Sequence, residues 1–197
     1  TDSLLAWPQE CLDLDPETVN TLADKYKTAE SNIRNGKRYV SNKSLNLDLH
    51  IGLLSVLVPN SKAIMLRRNP LDTCISCHMT DLLLVGHKYT STFKDLATVW
   101  ITREKARQYW TQVLEIPVMQ LSYDELVQNQ EAESKRLISF LDLPWEEKCL
   151  SFHKSKNRAR TISHDQVNQK MYSSSSGRWK NYEKHIGPLI DALADYL

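Results

Sequence analysis

"IMLRRNPLDTCISCH", residues 64–78, changes character in its middle. Three apolar residues run into Arg67 and Arg68, Asn69, Pro70 and Asp72 follow, and a helical pattern then begins. The apolar run from Ala63 to Leu66 reads as a strand. Asn69 reads as a helix N-cap and Pro70 as the first helical position. In an open α/β sheet, ligands bind beyond the carboxyl ends of the strands. A helix start offers free N–H groups and partial positive charge, and arginine adds a fork of donors matched to phosphate. Ser76 lies two helical turns beyond Asn69 on the same face. One reading is therefore a phosphate clamp made by Arg68 and Ser76. The other is a surface strand end whose arginines pair with Asp72 or with glutamates. Sequence physics alone leaves both open.

Working outward, "DPETVNTLADKYKTAESNIRNG" predicts a helix with Asp15 as cap, Pro16 in the first position and Gly36 at its close. Residues 38–40 read as a short strand. Residues 45–58 read as a mostly buried helix stopped by Pro59. Residues 95–116 read as a long helix carrying Trp100 and Trp110, and "VMQLSY" at 118–123 as a third strand. Residues 131–143 form a further helix ended by Pro144. Residues 149–176 are polar, basic and irregular, with "SSSSG" as a loop. The last fourteen residues read as a helix kinked at Gly187-Pro188. Short apolar strands separated by helices predict an α/β chain with a parallel sheet. There are no repeats, and the expectation is a single domain over residues 1–197.

Composition narrows the function. The chain is 41% hydrophobic and 25% charged, which is ordinary for a globular protein. Its net charge of +1 gives no bulk attraction to nucleic acid or membrane, so any anion site must be a local arrangement of cations. No apolar run approaches the roughly 18 residues of a membrane span. Cys11, Cys74, Cys77 and Cys149 do not read as a disulfide framework, and a reducing compartment fits them better.

R-N-P-x-D-x-x-x-S, as Arg68, Asn69, Pro70, Asp72 and Ser76, resembles the 3′-phosphate-binding motif of PAPS-dependent sulfotransferases. "NKSLN" at 42–46, "LVPNSKAIMLRRNP" at 57–70, "SYDELV" at 122–127, "TISHDQV" at 161–167 and "GRWKNYEKHIGPL" at 177–189 follow in order. They resemble the tyrosylprotein sulfotransferases and the bacterial tetratricopeptide-linked sulfotransferases. The resemblance covers nearly the whole chain from about Arg38, far beyond any single pattern. It implies a P-loop-NTPase-like parallel sheet flanked by helices and transfer of a sulfuryl group from PAPS to a hydroxyl on tyrosine, carbohydrate or a small molecule. Arg68 and Ser76 would hold the 3′-phosphate of PAPS or of its product PAP. Tyr123 would lie against the nucleotide, and Arg178 would reach a nucleotide phosphate. Lys43 would lie at the bond between phosphate and sulfonate, with Ser163 beside it. No metal is implied. The compartment would be cytoplasmic for a bacterial type and the Golgi lumen for a tyrosylprotein type.

The chain also departs from the family's pattern. The family begins with a strand and a Gly-rich loop that cradles the 5′-phosphate, with a glutamate general base shortly after. Gly36, Gly52, Gly86, Gly177 and Gly187 are scattered, and no G-x-x-x-x-G-K-[ST] occurs. Asn42 stands where the bacterial relatives usually have aspartate, and Ser173 where a basic residue is common. The expectation is the C-terminal portion of a sulfotransferase domain without its N-terminal strand and 5′-phosphate loop. Its partners would be PAPS, a hydroxyl acceptor, and a missing N-terminal segment or a second copy. The alternative is a catalytically inactive nucleotide-binding or protein-interaction module of the same fold.

Four further patterns carry less. Cys74-Ile-Ser-Cys77 has the C-x-x-C spacing of a redox pair but lies inside a helical pattern. Cys74, Cys77, His78 and His87 match no standard zinc spacing. Ser163-His164-Asp165 spells a triad in letters only, because adjacent residues point in different directions. In the basic run "HKSKNRAR", Arg158 and Arg160 are the candidates for anion contact.

Overall fold

The computed structural model describes residues 14–80, 82, 87–154 and 169–197. Among these the fold is mixed α/β, mostly helical, with a small parallel sheet of two strands. Two compact units divide the chain. The first contains residues 1–63 and 105–118, the second residues 64–104 and 119–197.

In the first unit, helix α1 (Pro16–Arg34) starts where the sequence predicts. Asp15 caps it by accepting from Thr18 N at 2.8 Å. Asn35 and Gly36 turn it off in the left-handed region, at φ 45° and 73°. Residues 38–40 are not a strand. Tyr39 is exposed under the Arg38 guanidinium, 5.1 Å from its ring centre, and only Val40 of the three is part-buried. Helix α2 (Leu47–Leu57) packs against α1 and ends before Pro59. Gly52 lets it approach Trp110 closely: a Cβ there would stand 2.5 Å from the indole Cη2.

Strand β1 (Ala63–Arg67) pairs with strand β2 (Val118–Ser122). The chain between them runs through helix α3 (Pro70–Met79) and helix α4 (Phe93–Val113), so the parallel pair is joined by a helical crossover. In β2, buried Met119 and Leu121 alternate with exposed Gln120. The apolar run of β1 predicts burial on both faces, yet Ile64 and Leu66 are exposed on one. Burial on both faces belongs to sheets covered from both sides.

The core of the second unit lies between α3, the start of α4 and the C-terminal helix. Leu71, Cys74 and Ile75 occupy positions i, i+3 and i+4 of α3 and meet Leu96, Ala97, Ile186, Leu189 and Leu193. Helices α5 (Tyr123–Gln128) and α6 (Gln130–Phe140) follow β2 directly. The C-terminal segment is not one kinked helix. A 3₁₀ stretch (Arg178–His185) ends at Ile186, and a new helix α7 (Gly187–Ala192) begins with Pro188 in its first turn, where a missing N–H costs nothing.

Candidate functional site

The two arginines at the end of β1 have different fates. Arg67 Nε lies 3.2 Å from a carboxylate oxygen of buried Glu104 on α4, and its guanidinium sits over the Trp100 ring. That is the pairing the surface-strand reading predicts, but it claims only Arg67. Arg68 is half-buried, with its guanidinium 4.9 Å from the centre of the Tyr123 ring. Its Nη2 donates to the Ser175 carbonyl at 2.5 Å. Its Nε is buried and has no hydrogen-bond partner among the described residues. A buried guanidinium N–H without an acceptor costs roughly 1–3 kcal/mol or more, so this donor stands ready for an anion.

The start of α3 differs from the expectation in one respect. Asn69 caps it as predicted, and its Oδ1 accepts from Leu71 N at 3.0 Å and Asp72 N at 3.2 Å. Thr73 N is taken by the Asn69 carbonyl, and Pro70 has no N–H to give. The first-turn donors are therefore spent inside the helix, and Asp72 adds a negative charge there. An anion at this point must be held by side chains.

Asp72 does not pair with either arginine. Its carboxylate, almost fully buried, accepts from Gly177 N at 2.6 Å and from Trp179 N at 2.8 Å. Gly177 sits at φ 73°, a conformation that favours glycine. Asp124, at the start of α5, accepts from Asn69 N at 3.1 Å and from the Ser176 hydroxyl. The segment from Ser175 to Trp179 is thus held by Arg68, Asp124 and Asp72 in turn. Exposed Arg178 stands within it.

Ser76 is half-buried two turns along α3. The charge of Arg68 reaches the next residue, Cys77, where it partly offsets burial. Burial is the larger effect and pushes the Cys77 thiol up. Burial, with Cys77 nearby, pushes Cys74 up to about 12. Thiols raised in this way oppose the C-x-x-C redox reading, which needs a lowered pKa. Among the described residues, no three His, Cys, Asp or Glu side chains converge to hold a metal ion.

Lys43 belongs to the first unit, exposed on the non-helical stretch between α1 and α2. Its neighbours fix that stretch: Asn42 Nδ2 donates to the Tyr26 hydroxyl at 3.3 Å, and Ser44 Oγ donates to Asn42 Oδ1 at 2.8 Å. Arg68, Ser76, Tyr123 and Arg178 belong to the second unit. Ser163, Arg158, Arg160, His164 and Asp165 lie outside the described residues. Sequence reasoning missed Asp124, Ser175 and Ser176, and it read Asp72 as a helix-start residue, an arginine partner and a member of the R-N-P-x-D-x-x-x-S motif, without the bonds to Gly177 and Trp179. The one available signal is an acid in the first turn of each of α3 and α5, beside a serine-rich loop closed by glycine.

A model of the sulfotransferase family matches residues 6–147. The chain belongs to the sulfotransferase family. The matched part of this sulfotransferase chain includes Lys43, Arg68, Ser76 and Tyr123, while Ser163 and Arg178 lie beyond it. An "uncharacterized protein" of Aquifex aeolicus (strain VF5) is 28% identical over 195 residues, covering 96% of this chain and 25% of the relative. The chain thus spans a quarter of the length of that curated relative. Among solved structures, the sulfotransferase domain from the curacin biosynthetic pathway is similar in fold, with a TM-score of 0.59 and 20% identity. That similarity covers 81% of this chain and 60% of the curacin domain. The mixed α/β fold expected from the sequence is therefore that of a sulfotransferase domain.

Proposed function

We propose that this chain carries the 3′-phosphate side of a PAPS-dependent sulfotransferase that acts on a hydroxyl of tyrosine, a carbohydrate or a small molecule. Family membership supports sulfuryl transfer in general. The observation that carries the finer reading is Arg68: its guanidinium carbon lies 4.9 Å from the centre of the Tyr123 ring, and among the described residues no carboxylate pairs with it and its buried Nε has no acceptor. A phosphate supplies the acceptor that this donor lacks, and a guanidinium fork fits phosphate geometry. The Tyr123 ring beside it offers a face for a nucleotide base or for the cation itself. Ser76 adds a hydroxyl donor, and Arg178 a second cation.

PAPS, when bound, supplies the activated sulfonate. The chain's own residues position it and neutralise charge, as in phosphoryl transfer. In this reading Lys43 stabilises charge on the leaving phosphate, an effect worth roughly 10²–10³ in rate for a single well-placed donor. Ser163 adds a hydrogen bond there.

Thermal shift and calorimetry with PAP, with ATP as the comparison, test the reading. PAP should raise the melting temperature of this chain in a saturable way, and ATP much less. Equal shifts with ATP, or none with PAP, overturn it. PAP binding without sulfuryl transfer to any hydroxyl acceptor favours the inactive-module reading.

A further inference from the structure

We infer that Asp72 is a positioning residue for Arg178, holding it toward the anion site while touching no ligand itself. The inference rests on the proposed PAPS reading, because Arg178 is a phosphate contact only within it. The residues on either side of Arg178 are both fixed by one carboxylate: Gly177 N at 2.6 Å and Trp179 N at 2.8 Å. Asp72 is only 2% exposed, so its charge is compensated by these donors rather than by water. Trp179 is also packed against the core formed by α3 and α7, which limits rotation on that side. Gly177 supplies the left-handed turn that brings its own N–H and that of Trp179 to the same acceptor.

The same helix start places the other proposed phosphate cation. Arg68 precedes the Asn69 cap and donates to the Ser175 carbonyl, two residues before Gly177. Asp124 joins the Asn69 N–H to the Ser176 hydroxyl. Two cations distant in sequence are therefore set by one short polar network. Two bonds that bracket Arg178 fix the backbone from which its exposed side chain projects.

Asp72→Asn keeps the shape but replaces one acceptor oxygen by an amide donor, so one N–H loses its partner. The test combines two measurements on the full chain. Amide hydrogen exchange without nucleotide should show Gly177 and Trp179 slow in the wild type and at least tenfold faster in D72N. Calorimetry with PAP should show the dissociation constant rising about 10–100-fold in both D72N and R178A. The double variant should be no weaker than about threefold beyond the worse single one, because both changes remove the same contact. Additive losses, or unchanged PAP affinity in a folded D72N, overturn the positioning role while leaving the PAPS reading standing. Absence of PAP binding by the wild type overturns both. Should D72N fail to fold, rapid exchange of both amides in the wild type would still overturn the inference, and slow exchange together with a 10–100-fold loss in R178A would support it.

Discussion

Replacing Arg67 and Arg68 one at a time with alanine should separate fold from binding. Arg68→Ala removes the hydrogen bond to Ser175 and the cation–π contact with Tyr123. A charged hydrogen bond contributes about 1.5–3 kcal/mol, and an exposed cation–π contact about 0.5–1 kcal/mol. It also removes a buried N–H that has no acceptor, which returns about 1–3 kcal/mol. The two effects nearly cancel, so stability should change by about 1 kcal/mol or less. PAP affinity should fall much further, because about 2–4 kcal/mol of charge-assisted contact disappears, or roughly 30–1000-fold in Kd. Arg67→Ala should do the reverse. Glu104 is 5% exposed and loses its guanidinium partner, while the Arg67 side chain is 45% exposed. Breaking a fully buried pair costs about 3–5 kcal/mol, and screening on the arginine side lowers that to about 1–3 kcal/mol. Such a loss lowers Tm by about 2–10 °C for a chain of this size, with PAP affinity within about threefold of wild type. Urea unfolding and calorimetry with PAP read the two axes separately. Equal loss of PAP affinity in both variants, or an Arg68→Ala variant that binds PAP normally, would refute the division of labour between the two residues.

Two further outcomes follow from packing. Gly52→Ala would gain about 1 kcal/mol in an open helix, but the new methyl stands 2.5 and 2.7 Å from two indole carbons of Trp110. The ring is rigid, so overpacking at about 1–3 kcal/mol wins, and a lower urea midpoint checks it; an unchanged or higher midpoint counts against that contact. Cys74, pushed up to about 12 from 9.0, should be alkylated at pH 8 about a thousandfold more slowly than a peptide thiol, and at the ordinary rate in urea. Because the folded state holds the thiol neutral, this contribution to stability is complete below pH 9 and is lost as pH rises toward 12. Mass spectrometry of iodoacetamide adducts against time decides it, and a native rate within tenfold of the peptide's would contradict the burial of that side chain.

Local grammar was legible in the sequence. Asp15, Pro16 and Gly36 bracket α1 because caps and left-handed turns need particular side chains. Asn69 and Pro70 announce α3 for the same reason. That 38–40 is not a strand was not legible, because strand formation requires a pairing partner elsewhere and the local letters do not reveal whether there is one. Nor was the break at Ile186. A proline one residue after a glycine is compatible with a kink or with a new helix start, and only packing of Leu189 and Leu193 into the core selects the latter.

The candidate site divides along the same line. Arg67 is the last residue of β1 and Arg68 lies just beyond it, and the two take different partners. Which one pairs with a carboxylate depended on Glu104, placed beside Arg67 by α4. The local sequence gives no hint of that, since an acid near an arginine in the chain, such as Asp72, looks the better partner. Asp72 was instead claimed by the backbone of residues more than a hundred positions away, Gly177 and Trp179. A carboxylate that bonds two N–H groups is satisfied without a cation, and it leaves the neighbouring guanidinium unpaired. In the proposed reading, the availability of Arg68 for an anion therefore depends on where two remote segments place Glu104 and the Gly177 turn. Its motif identifies the residue, and the fold leaves it without a carboxylate among the described residues.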